Sequence, residues 1–150
     1  MHVTPHAFSK TVSAVLLILA VPALLCSCSS NTAGRVEGTE WVLIGWYEGT
    51  TCALPAVEGA QVTLEFAAEK EQVRGSTGCN QYSGAYDIDG DSLSINGIEA
   101  TEEACPTKNL AQQERMYMDT LFEAESFSIR DGRLRIESGT RGLVFESREH

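Results

Sequence analysis

Histidine is almost absent from this 150-residue chain: only His2, His6 and His150 occur. Two stand at the start and one is the last residue, so no Ser-His-Asp or Cys-His set can be built in a folded body. Histidine metal sites are excluded on the same ground. Cations are scarce as well, with 11 Lys+Arg against 21 Asp+Glu and a formal charge of −10. Nucleic acid is therefore excluded as a partner, because phosphate binding needs clustered cations. Adhesion to anionic lipid through surface charge is disfavoured for the same reason. The acidic balance reads as solubility, with a basic partner as the alternative. No cysteine pair has the close Cys-x-x-Cys spacing of a zinc site, and no cofactor is implied. Also missing is an apolar run long enough to cross a membrane. Val12 to Leu25, broken by Ser13 and Pro22, spans about fourteen residues, where a spanning helix needs roughly 20.

That run instead has the length of a signal-peptide apolar region, and His2, His6 and Lys10 make a weakly basic start before it. Leu25-Cys26-Ser27-Cys28 follows. This resembles the lipobox of bacterial lipoproteins, in which an apolar residue stands three places before the cysteine that receives lipid. Cys28 is preferred to Cys26, because small Ser27 precedes Cys28 whereas bulky Leu25 precedes Cys26. The expectation is a signal over residues 1–27, attachment to a membrane by lipid on Cys28, and a small polar tether over residues 28–37. One acyl chain is a marginal anchor; the resemblance implies several, hence lasting attachment. The competing readings are an ordinary secretory signal or a short uncleaved anchor. Lys10 is the only charge before Cys28, so the mature part has ten cations against 21 carboxylates, a net of −11. No Asp follows Cys28 directly. In a Gram-negative envelope that pattern implies the outer membrane, facing the periplasm; in a Gram-positive one the anchor implies the outer face of the cell membrane.

The mature chain reads as one domain over residues 38–149, of short extended segments separated by Gly and Asp turns. Strands are expected at 39–47, 61–66, 72–76, 84–88 and 92–95, the last two forming a hairpin around Asp89-Gly90. Residues 97–101 make a short further strand. A helix follows, capped by Asn109 with Gln112 three residues on, and ends near Ala124. Leu110, Tyr117, Met118, Leu121 and Phe122 share its apolar side. Strands at 126–129, 133–138 and 143–147 close the chain, with Leu134, Ile136, Leu143 and Phe145 inward. The fold class is α+β: a strongly curled antiparallel sheet, a partial barrel, with one amphipathic helix packed on it. A monomer is expected.

Two segments carry a family resemblance: 75–86, Gly-Ser-Thr-Gly-Cys-Asn-Gln-Tyr-Ser-Gly-Ala-Tyr, and 100–106, Ala-Thr-Glu-Glu-Ala-Cys-Pro. Together with Trp41 in the first strand, Glu114 on the helix and the closing strands, they resemble the META domain, or HslJ-like, family. The match runs from about Gly38 to Glu146, with several motifs in order. Glu102-Glu103 departs from the family pattern, and Cys52 lies outside it. The resemblance implies a bacterial envelope lipoprotein that is not an enzyme and has an unknown protein or small-molecule partner. The motif residues it singles out are Trp41, Gly78, Asn80, Gly84, Thr101 and Glu114. Alternatives are an inhibitor of a basic hydrolase such as lysozyme, a periplasmic ligand binder, and a carboxylate-based hydrolase.

Cys79 and Cys105 stand at the two motif centres and are expected to pair, with Cys52 as a competing partner for either. Gly78 and Gly84 bracket the Cys79-Asn80 turn, which reads as a tight corner between strands rather than an anion cradle. Glu114 lies on the apolar stripe, four after Leu110 and three before Tyr117. A carboxylate there must be hydrogen-bonded. It is expected to accept from backbone N–H groups near Gly78 to Asn80, or from Thr101; a general acid or base is the functional alternative. Asp87-Ile-Asp89-Gly-Asp91 invites a calcium reading, but the sixth and twelfth places hold Ser92 and Ile98. An EF-hand loop needs glycine and glutamate there, so a hairpin turn is preferred. Trp46 and Tyr47 are the candidate exposed pair for touching a partner.

Overall fold

The computed structural model describes residues 36–51 and 54–148, and His2 besides. Cys26, Cys28, Cys52 and His150 lie outside the described residues, as does most of the expected tether. Nine strands, β1 Glu40–Glu48, β2 Leu54–Pro55, β3 Val62–Ala67, β4 Gln72–Thr77, β5 Gln81–Asp89, β6 Ser92–Ala100, β7 Ser126–Arg130, β8 Arg133–Ser138 and β9 Arg141–Ser147, form one sheet. Helix α1, Lys108–Phe122, joins β6 to β7.

All the strand pairs are antiparallel, and each long strand lies beside its neighbours in sequence. The sheet closes because β1 also pairs with β9, from Trp41 opposite Ser147 to Glu48 opposite Arg141. Eight strands thus make an up-and-down barrel, and two-residue β2 is a flap on the free half of β1. The curled sheet expected from sequence is a closed one. Closure removes the exposed edges that an open sheet would present. The join between β6 and β7 is the thinnest, with Ser92 opposite Ser126 as the one register pair among the described residues. α1 packs against β4, β6, β8 and β9 near that join.

Alternation along each strand fills the interior. Trp41 and Leu43 of β1, Val62, Leu64 and Phe66 of β3, Leu134 and Ile136 of β8, and Leu143 and Phe145 of β9 are all buried. The helix contributes Tyr117 and Leu121. Tyr117 meets Tyr82 and Phe145 edge-on, with ring centroids 5.7 and 6.3 Å away. The Tyr82 and Tyr117 hydroxyls are 2.6 Å apart, and Tyr82 donates to the Thr63 carbonyl at 3.0 Å. Gly75 makes room for this chain, because a Cβ there would overlap the Thr63 carbonyl oxygen.

Several local expectations are corrected. Residues 97–101 do not form a separate strand: β6 runs unbroken to Ala100, and a bulge at Gly97 and Ile98, opposite Gly84, keeps it paired with β5. A Cβ at Gly84 would press within 3.1 Å of Asn96 and Ile98. The helix is capped by Thr107, not Asn109: the extended Thr107 accepts a bond from the Leu110 N–H at 3.2 Å. Pro106 immediately before it fits a helix start. Phe122 lies outside the apolar side and is 63% exposed. The tether ends earlier than residue 37, since Val36 is buried and its carbonyl accepts from Trp41 Nε1 at 3.0 Å.

Candidate functional site

The two motif segments meet at one corner, where the β4–β5 turn, the end of β6 and the first turns of α1 converge. Gly78 turns the chain at φ +85°, and even its absent side chain matters. A Cβ there would lie 3.1 Å from Ala60 and 3.4 Å from Leu110. The turn delivers Asn80 inward, 4% exposed. All four hydrogen-bonding positions of its amide are used. Oδ1 accepts from the Thr101 hydroxyl at 2.7 Å and from the Glu103 N–H at 2.8 Å. Nδ2 donates to Glu114 Oε1 at 2.8 Å and to the Glu103 carbonyl at 3.2 Å.

Thr77 is the other half of the device, and it is fully buried. Its hydroxyl accepts from the Asn80 N–H at 2.8 Å and donates its one proton to Glu114 Oε1 at 2.6 Å. Glu114 therefore receives two short bonds on one oxygen, both from side chains. The expectation of backbone donors, or of Thr101, is corrected: Thr101 binds Asn80 instead and reaches Glu114 only through it. A half-buried carboxylate so engaged acts as a brace between the helix and the corner. Thr77 was not singled out from sequence. Its signal was its place two residues before Cys79, at the end of a strand of alternating burial.

Cys79 and Cys105 are joined by a disulfide, with a sequence separation of 26. It fastens the turn to the segment before α1. Cys105 Sγ lies 3.1 Å from Glu114 Oε2. The two sulfurs and the carboxylate fall within 4.8 Å of one another, a spacing that would suit a metal ion. With both sulfurs in the disulfide, neither is a thiolate, so the oxidised corner lacks the donor chemistry for one. Trp41 sits apart from this corner, at the domain entrance with Val36. Gly84 faces the β6 bulge at Gly97 and Ile98. Of the expected motif residues, the structure thus unites Gly78, Asn80, Thr101, Glu114 and the two cysteines, and leaves Trp41 and Gly84 elsewhere.

A tryptophan at the start of a closed eight-strand meander, a Gly-Cys-Asn corner, a Thr-x-x-x-Cys segment and a helix glutamate holding them together form one constellation. The family model for the META domain matches residues 34–150. The chain belongs to the META domain family. Solved structures agree in fold. An NMR structure of a protein from Burkholderia xenovorans superposes with a TM-score of 0.67 at 22% identity, covering 99% of this chain and 100% of that one. A crystal structure of a DUF4847 family protein from Bacteroides vulgatus gives 0.59 at 12% identity, covering 78% and 97%. No curated protein matches the sequence. In this META domain Asn80, Thr101 and Glu114, with the Cys79–Cys105 disulfide, tie the start of the helix to the barrel.

Proposed function

We propose that this META domain protein is a non-enzymatic lipoprotein of the bacterial cell envelope, held to its membrane by lipid on Cys28, and that it works there by binding a partner or by supporting envelope integrity under stress. The observation that carries the attachment is Leu25-Cys26-Ser27-Cys28 at the end of an apolar stretch too short to span a bilayer. The non-enzymatic part rests on the corner. Asn80, Thr77 and Glu114 are each engaged in mutual hydrogen bonds. Glu103 meets Asn80 through its backbone N–H and carbonyl rather than its carboxylate. A general acid–base pair needs a second titratable group within reach of the first.

Intact-mass analysis of the native protein tests the attachment. The expected mass corresponds to a chain beginning at a lipidated Cys28, and Cys28→Ala is expected to leave the membrane fraction or stall unprocessed. An unmodified Cys28, or residues 1–27 still attached, would remove the basis for this location.

A further inference from the structure

The outer face of the barrel over β7, β8, β9 and β1 differs from the rest of the surface. Cross-strand register places Gly45, Val144 and Arg135 in one outward row and Tyr47, Gly142 and Glu137 in the next. Two of these positions lack side chains, and the sheet is hollow there. Tyr47 lies down across Gly142, whose Cβ would overlap the ring, and its hydroxyl donates to Glu137 Oε1 at 3.2 Å. The result is a cleft of about 320 Å³ floored by Gly45, Val144 and Ile44, walled by Tyr47 and rimmed by Arg133 and Arg135.

Three arginines share this face with carboxylates: Glu146 stands opposite Arg133 on β9, and Glu137 follows Arg135 along β8. Arg130 and Arg133 stand directly opposite each other across the β7–β8 hairpin, and Arg135 follows on the same face. Like charges in direct cross-strand apposition destabilise a sheet. Arg74, Arg141 and Arg148 each have a carboxylate partner. Among the described residues, Arg130, Arg133 and Arg135 form no ion pair, although the chain has 21 Asp+Glu. Carboxylates stand nearby, but none lies at ion-pair distance from these three guanidinium groups among the described residues, so the N–H groups beside the apolar hollow can take an anion from outside.

We propose that this cleft binds a small carboxylate with an apolar body, such as an aryl alkanoate. Arg135, with Arg133 beside it, takes the carboxylate through paired N–H···O bonds. The apolar body lies on Val144 and Ile44 along the Tyr47 ring. The inference gives the binding role proposed above a site, while its geometry is independent of Cys28.

The test is amide chemical-shift mapping by NMR on the full processed chain, with whatever N-terminus it carries. Hydrocinnamate is the probe and neutral hydrocinnamamide the control. Saturable shifts are expected around Gly45, Tyr47, Val144 and Arg135, with none from the amide. Arg135→Gln is expected to weaken binding about tenfold or more, and Arg135→Lys by less. Both arginines are exposed, so the variants should keep the spectrum of the folded barrel, which the same experiment checks. No saturable shift, equal binding of the amide, or undiminished binding by Arg135→Gln overturns the proposal. Lipid status is read separately by mass, so failure of the Cys28 reading leaves this result interpretable.

Discussion

Glu114 receives the Thr77 hydroxyl and an Asn80 N–H on a single oxygen. Replacing it with alanine strands two donors in a part of the molecule shielded from water. Glu114→Ala is expected to lower unfolding stability by about 2 kcal/mol, and Glu114→Gln by about half that, since a neutral acceptor remains. Urea denaturation checks both; equal losses would mean that the charge plays no part. Four tyrosines couple stability to pH. Tyr82 and Tyr117 are fully buried, and burial raises both phenols above their ordinary 10.0, with the neighbouring Tyr117 adding to the rise at Tyr82. Tyr47 and Tyr86 shift the same way, each chiefly through burial and then a nearby glutamate. In the unfolded chain these groups ionise near pH 10, while the folded state still holds their protons. Stability is therefore full below about pH 10 and falls as pH climbs through the window up to the folded pKa values. The urea midpoint should be flat below about pH 9.5 and drop above it. Tyr82→Phe should reduce that slope.

Among the elements, α1 shows both what a one-dimensional pattern reveals and what it hides. Leu110, Tyr117 and Leu121 recur at helical spacing and are buried as their spacing implies. Phe122 is exposed because helical geometry puts it about 100° round from Leu121 and about 120° from Leu110, off the buried stripe. The cap falls on Thr107 for a local reason. Asn109 and Gln112 make a good capping pair, yet Thr107 lies directly after Pro106, where the chain is already extended, and begins the helix a turn's fraction earlier. The need to satisfy Glu114 was legible from its place on the apolar stripe. Its donors were not, because Thr77 and Asn80 stand 37 and 34 residues away and reach it only across the folded corner. The disulfide spans that same corner and closes a loop of 26 residues. Its reduction, or Cys79→Ala with Cys105→Ala, is expected to cost about 3 kcal/mol by the loop-closure model. Unfolding curves with and without a dithiol reductant measure this, and coincident curves would count against the bridge as a stabilising element.

For the molecule as a whole, the positions of the eight long strands were readable from turn spacing, whereas two-residue β2, the unbroken run of β6 and the closure were not. Nothing local in β1 announces that it pairs with β9, about a hundred residues later. The circuit is also uneven. Between β6 and β7 the join rests on Ser92 opposite Ser126, flanked by Leu93 N–H to the Glu125 carbonyl at 3.0 Å and Phe127 N–H to the Asp91 carbonyl at 2.9 Å. Native-state hydrogen exchange should show the Leu93 and Phe127 amides opening before those of β1 and β9. Protection of all four to the same degree would mean that the barrel opens as one unit.

The β1–β9 pairing also brings the two ends of the domain together. Arg148 N–H donates to the Glu40 carbonyl at 2.8 Å, and its guanidinium binds the Glu40 carboxylate at 2.7 Å. A short linker from Arg148 back to Val36, with a new opening at Thr140, would give a circular permutant in which β9 precedes β1 as an ordinary hairpin. The seam would simply move: β8 and β9, a hairpin in the natural order, would become the last and first strands and carry the remote pairing, so such a permutant is expected to keep the same barrel and to refold at a rate close to that of the natural order.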